Sequence, residues 1–114
     1  MPYIKTNVSI PVTKEQKENV KSRFGQIISL IPGKSEAFLM VDLQDNCSLY
    51  FGGNQDGPTA YVKVEVFGSL SDEYSLMLTK NICSMLEEEL HIPQNRIYVN
   101  YESFTQWGWN GKNF

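Results

Sequence analysis

At 114 residues, with 10 Lys+Arg against 13 Asp+Glu and a formal charge of −3, the chain is one domain's worth of sequence, 1–114, too short for two independent cores. The acidic balance and the lack of any basic run exclude a sequence-independent nucleic-acid surface, which needs clustered positive charge. Nowhere do the roughly 18 apolar residues of a membrane span occur in a row, and the N-terminus lacks the apolar run of a signal peptide, so a cytoplasmic chain with no membrane partner is expected.

Tyr3-Ile4-Lys5-Thr6-Asn7-Val8 carries β-branched and aromatic residues in rough alternation and breaks near Pro11, which predicts a strand over residues 2–8. A helix follows. Thr13 with Gln16 forms a capping box, and Val20, Phe24, Ile27, Ile28 and Ile31 repeat at three- and four-residue spacing until Pro32-Gly33 stops the run. Residues 37–43 (AFLMVDL) read as a short buried strand ending in the polar turn Gln44-Asp45-Asn46.

After the turn-rich stretch Gly52–Pro58 the pattern restarts. Val62, Val64 and Val66 alternate with Lys63 and Glu65, the period-2 signature of a strand with one buried face. Ser71 caps a second helix whose stripe is Leu78, Ile82, Met85 or Leu86, and Leu90, with Glu87, Glu88 and Glu89 as a solvated face and Pro93 as its end. Residues 96–101 (RIYVNY) form a further strand, and the Gly-spaced aromatic tail 105–114 a short strand or hairpin.

Strand, helix, strand thus occurs twice, a pseudo-repeat of 1–50 and 51–114. Right-handed crossovers let the two units merge into one four-stranded mixed sheet with two helices on one face, an α+β two-layer sandwich. The other sheet face is then expected to lie bare, lined by valines, and to require a partner, self-assembly being the commonest.

Standard catalytic constellations are missing. The single His91 precludes a Ser-His-Asp set and a His-based metal cluster, Cys47 and Cys83 are isolated thiols without metal spacing, and no glycine motif cradles phosphate. No metal or organic cofactor is expected. The oddity is Pro2: trimming of Met1 before so small a residue leaves a secondary amine at a strand end. An α-amine of pKa about 8 is about 10% neutral at pH 7, and a depression of about two units, roughly 2.7 kcal/mol, makes it about 90% neutral and a competent general base. A penultimate proline that only stiffens the terminus is the competing reading.

Met1-Pro2, Pro32-Gly33-Lys34, Tyr50-Phe51-Gly52-Gly53, the stretch Asn95 to Tyr101 and the stretch Trp107 to Phe114, in that order and spacing, resemble the macrophage migration inhibitory factor family of the tautomerase superfamily over essentially the whole chain. The resemblance implies a homotrimer with three sites at subunit interfaces and Pro2 as the base that moves a proton within a keto–enol pair. It maps Lys34 onto the lysine that holds a substrate carboxylate, and Tyr98 and Asn100 onto the Tyr-x-Asn that reaches the pocket from a neighbouring subunit. Strand alternation independently puts Tyr98 and Asn100 on one sheet face, with Ile97, Val99 and Tyr101 on the other. Without the resemblance, Lys34 reads as a solvated charge and the Tyr98/Asn100 pair as a polar strand edge.

The departures bear on substrate. Phe67 stands where the family has a pocket isoleucine whose backbone N–H assists binding, Phe38 replaces a tyrosine at the mouth, and Trp107 replaces a smaller valine, which implies a more aromatic pocket; these rings, with Trp109, also read as core or subunit-contact residues. Thr59-Ala60-Tyr61-Val62 occupies the place of the Cys-Ala-x-Cys redox motif, and Arg23 and Arg96 are not where relatives acting on dicarboxylates or haloacrylates carry arginines. The expectation is a phenylpyruvate- or dopachrome-type keto–enol tautomerase acting on a small keto/enol acid. The alternatives are a cytokine-like trimer that binds a protein receptor, leaving the cell without a signal peptide, and a trimeric scaffold.

Overall fold

A computed structural model describes residues 1–114. The first βαβ unit is β1 (Pro2–Val8), α1 (Lys14–Ile28) and β2 (Met40–Gln44); the second is β3 (Ala60–Phe67), α2 (Asp72–Leu90) and β4 (Ile97–Phe104). Within each unit the strands run parallel, and the units join antiparallel along β1 and β3, giving the mixed order β2-β1-β3-β4. The tail closes as a small hairpin of β5 (Gly108–Trp109) and β6 (Lys112–Asn113).

Local chemistry fixes the helix starts. The Thr13 hydroxyl accepts the Gln16 N–H at 3.1 Å while the Gln16 side chain accepts the Thr13 N–H at 2.9 Å, and Ser71 accepts the Tyr74 N–H at 3.2 Å; each cap is worth about 1 kcal/mol. α2 ends at Leu90, short of Pro93, because His91 enters the left-handed region at φ 57°. Both expected stripes are buried and merge with Ile4, Val8, Val62, Val64 and Val66 into one core between the sheet and the helix pair. Glu88 and Glu89 are not merely solvated: both pair with Arg23, at 3.0 and 3.2 Å, tying α2 to α1.

Two expectations are corrected. The valines do not line the bare face; Val62, Val64 and Val66 are fully buried on the helix side. An apolar face gains most by meeting the helices' apolar stripes, so the polar side is left open. The register rows Asn7-Tyr61-Tyr98, Lys5-Lys63-Asn100 and Tyr3-Glu65-Glu102 make up that open face, cross-linked by Tyr3 to Asp42 at 2.8 Å, Asn100 to Tyr61 at 2.9 Å and Lys63 to Glu102 at 3.0 Å. The second correction concerns residues 37–43: Glu36–Phe38 coil into a single 3₁₀ turn and the strand begins only at Met40. Likewise Arg96 ends a 3₁₀ turn, Gln94–Arg96, rather than opening β4. No helix is long and apolar enough to cross a membrane.

Candidate active site

β1 begins at Pro2, paired with Val66, so the chain's N-terminus lies at the end of the sheet where β3 ends. Pro2 is buried there and lines a cavity of about 480 Å³. The tail hairpin folds over the same end. Trp107, Trp109 and Phe114 bring their rings to the cavity, and Phe38 meets them from the 3₁₀ turn before β2. Trp109 stacks on Phe114 with centroids 5.8 Å apart and 12° between planes, and Phe38 packs edge-on to Trp109 at 5.6 Å. The β-turn geometry of the hairpin requires Asn110 and Gly111 at positive φ, 55° and 78°, which supplies the tight reversal that presents Trp109.

Lys34 follows Gly33, whose φ of 80° turns the chain back after α1. Its ammonium reaches the Phe67 carbonyl at 3.5 Å. The backbone N–H of that same Phe67 donates to the Met1 carbonyl at 3.1 Å. Met1 also borders the cavity, so Lys34, Phe67 and the terminal residue converge at its rim. Burial, and after it the positive charge of Lys34, hold the Met1 α-amine below its ordinary value: desolvation penalises the ammonium form and a nearby cation adds to the penalty. With Met1 present the Pro2 nitrogen is a peptide nitrogen and cannot take a proton.

The sequence-derived candidates therefore fall into two groups. Pro2, Phe38 and Trp107 share the cavity wall, with Lys34 and Phe67 beside it. Tyr98 and Asn100 are not with them. They lie in the register rows of Asn7 and Lys5, while Pro2 pairs at Val66; with about 3.3 Å of rise per residue, Tyr98 is some 16 Å away along the strands. Tyr98 is 65% exposed and its ring packs on Phe51 at 5.1 Å. Three residues of the wall were not singled out from the sequence: Tyr3, Met40 and Glu65. Tyr3 and Glu65 are cross-strand partners one step from Pro2 and Val66, a neighbourhood that exists only once β1 and β3 have paired. No three His, Cys, Asp or Glu side chains converge to hold a metal ion.

Comparison with known proteins agrees with this geometry. The family model described as macrophage migration inhibitory factor matches residues 1–114. The chain is 27% identical over 116 residues to the macrophage migration inhibitory factor of Rattus norvegicus, covering all of this chain and 99% of that one. Among solved structures, MIF2 of Leishmania major superposes with a TM-score of 0.92 at 36% identity, covering 100% of this chain and 97% of the other. A macrophage migration inhibitory factor homologue of Prochlorococcus marinus gives 0.81 at 30% identity, with 98% of each chain covered.

Proposed function

Because the chain belongs to the macrophage migration inhibitory factor family, we propose that it is a keto–enol tautomerase of the phenylpyruvate or dopachrome type, working with the N-terminal amine of Pro2 once Met1 has been removed. The observation that carries this reading is the position of Pro2: buried, at the wall of an aromatic cavity, with a cation at its rim. The burial and the Lys34 charge that depress the Met1 amine would act on the Pro2 amine in its place and keep it neutral near pH 7.

In this reading the Pro2 nitrogen takes a proton from the carbon beside the substrate carbonyl. The electron pair of the broken C–H bond becomes the C=C bond of an enolate, and the same nitrogen returns the proton to the enolate oxygen, so the enzyme ends as it began. Lys34 pairs with the substrate carboxylate. The Phe67 N–H, released by loss of the Met1 carbonyl, stabilises oxygen as charge develops on it. The aromatic walls take the ring of the substrate. The exposure of Tyr98 and Asn100, far from Pro2 in their own chain, supports their serving the site of a neighbouring subunit in a homotrimer, where they would orient the carbonyl oxygen. The test is phenylpyruvate tautomerisation by protein whose intact mass shows Met1 removed, against a Pro2→Gly variant. Activity at least about 100-fold above the variant is expected of a positioned general base; equal rates would refute the reading.

A further inference from the structure

One polar group in the cavity wall is left over by this mechanism. Glu65 borders the main cavity and, together with Trp107 and Gly108, also borders an adjoining one of about 280 Å³, so its carboxylate has open space on both sides of the Trp107 ring. Its neighbours do not satisfy it. Across β1 it faces Tyr3, whose hydroxyl is already donated to Asp42 at 2.8 Å, and across β4 it faces Glu102, which is already paired with Lys63 at 3.0 Å. Lys34, the cation nearest the site, reaches the Phe67 carbonyl rather than Glu65. Glu65 enters no ion pair and accepts no hydrogen bond from any other side chain. A half-buried carboxylate among aromatic rings is stabilised only by what it can accept from outside the chain, because the rings around it offer no N–H or O–H.

We propose that Glu65 sets the substrate class of this pocket: a mono-carboxylate whose aromatic ring carries a hydrogen-bond donor, such as a phenolic hydroxyl. Lys34 then holds the acid group at one side while Glu65 accepts the donor at the other. A second carboxylate on the ring would face Glu65 and be repelled, which excludes dicarboxylates by charge as well as by fit. This rests on the cavity being the substrate site, the premise of the tautomerase reading, but makes a claim that binding alone can test.

The only two tryptophans of the chain, Trp107 and Trp109, both line the cavity, so quenching of their fluorescence reports occupancy without turnover. Three inert probes share one skeleton: 3-phenylpropionate, 3-(4-hydroxyphenyl)propionate and 3-(4-carboxyphenyl)propionate. With Met1-trimmed protein the hydroxyl probe should bind about tenfold more tightly than the phenyl probe, and the dicarboxylate at least about tenfold more weakly, as a charge-assisted hydrogen bond and a like-charge contact dictate. In Glu65→Gln, which keeps the shape and removes the charge, both preferences should shrink to about twofold or less. Lack of binding, equal affinities in the unaltered protein, or preferences that persist in Glu65→Gln each overturn the proposal. Selective binding that disappears in Glu65→Gln, in a protein that does not tautomerise phenylpyruvate, upholds it and refutes only the catalytic reading.

Discussion

The Phe67 backbone N–H donates to the Met1 carbonyl at 3.1 Å, so in the untrimmed chain the terminal residue takes up the donor assigned to the substrate oxygen. Met1 thereby blocks the site twice, by making the Pro2 nitrogen an amide and by occupying Phe67. Preparations with different extents of trimming should show activity proportional to the trimmed fraction by intact mass, the Met1-bearing form lying about 10²- to 10⁴-fold lower. The Phe67 amide should also exchange with deuterium faster after trimming, since its acceptor is gone. Activity independent of the trimmed fraction would remove Pro2 from the mechanism.

Lys34 should control the acid limb of the pH profile. Its charge is the second cause, after burial, of the depressed terminal amine. A positive neighbour disfavours protonation and lowers the pKa; removing it lets the pKa rise. Because the neutral amine is the working form, Lys34→Met should move the acid limb of kcat/KM to higher pH and cost more activity at pH 6 than at pH 8. Lys34→Arg should restore the limb. The variant also loses the carboxylate's partner, so KM should rise at every pH, and an unmoved limb would show that burial alone depresses the amine.

Helix stripes, caps and the alternation of β4 were legible in the sequence because each depends on residues close together in the chain. Thr13 and Gln16 find each other whatever the rest does, and Tyr98 must face away from Ile97. Which sheet face meets the helices is another matter. Period-2 alternation divides Val62, Val64 and Val66 from Tyr61, Lys63 and Glu65 but names neither side, and the correct assignment follows from asking which face the helix stripes would gain most by covering. The apolar run 37–39 misled for a related reason. Phe38 is apolar yet nearly half exposed, because it serves the cavity rather than the core. Glu65 was invisible as a site residue, since its role depends on the pairing of β1 with β3 and on a tail that closes from 40 residues downstream.

Arg96 should prove structural. Its guanidinium donates to the Pro58 carbonyl at 3.2 Å, the Thr59 hydroxyl at 3.1 Å and the Asn54 side-chain oxygen at 3.2 Å, and lies 5.6 Å over the Phe51 ring. It thus fastens the glycine-rich turn and, through Phe51, the ring of Tyr98. Arg96→Ala should lower stability by about 1.5–3 kcal/mol, the scale of a charged hydrogen-bond anchor, seen as a lower urea midpoint with an unchanged slope. Lys cannot form the same fork, so Arg96→Lys should recover only part of the loss. A change of less than about 0.5 kcal/mol in Arg96→Ala would mean that water replaces the guanidinium without cost.

The separation of Pro2 from Tyr98 and Asn100 leads to a complementation test. If each site takes its amine from one chain and its Tyr-x-Asn pair from the next, a Pro2→Gly chain and a Tyr98→Phe/Asn100→Ala chain are each inactive alone yet complete each other. In a homotrimer formed at random from equal amounts, a site works only where a chain with intact Pro2 is followed by a chain with intact Tyr98 and Asn100, so about one site in four should be whole. Co-refolded mixtures should therefore recover about a quarter of the unaltered activity, while the same proteins mixed without unfolding stay inactive for as long as trimers do not exchange. Were Tyr98 and Asn100 to serve their own chain's site, no mixed site would be whole and the mixture would remain as inactive as its parts. Sedimentation equilibrium checks the stoichiometry on which the fraction depends: a cyclic dimer gives the same one in four, so it is the mass that establishes three chains, and the recovery that establishes a shared site.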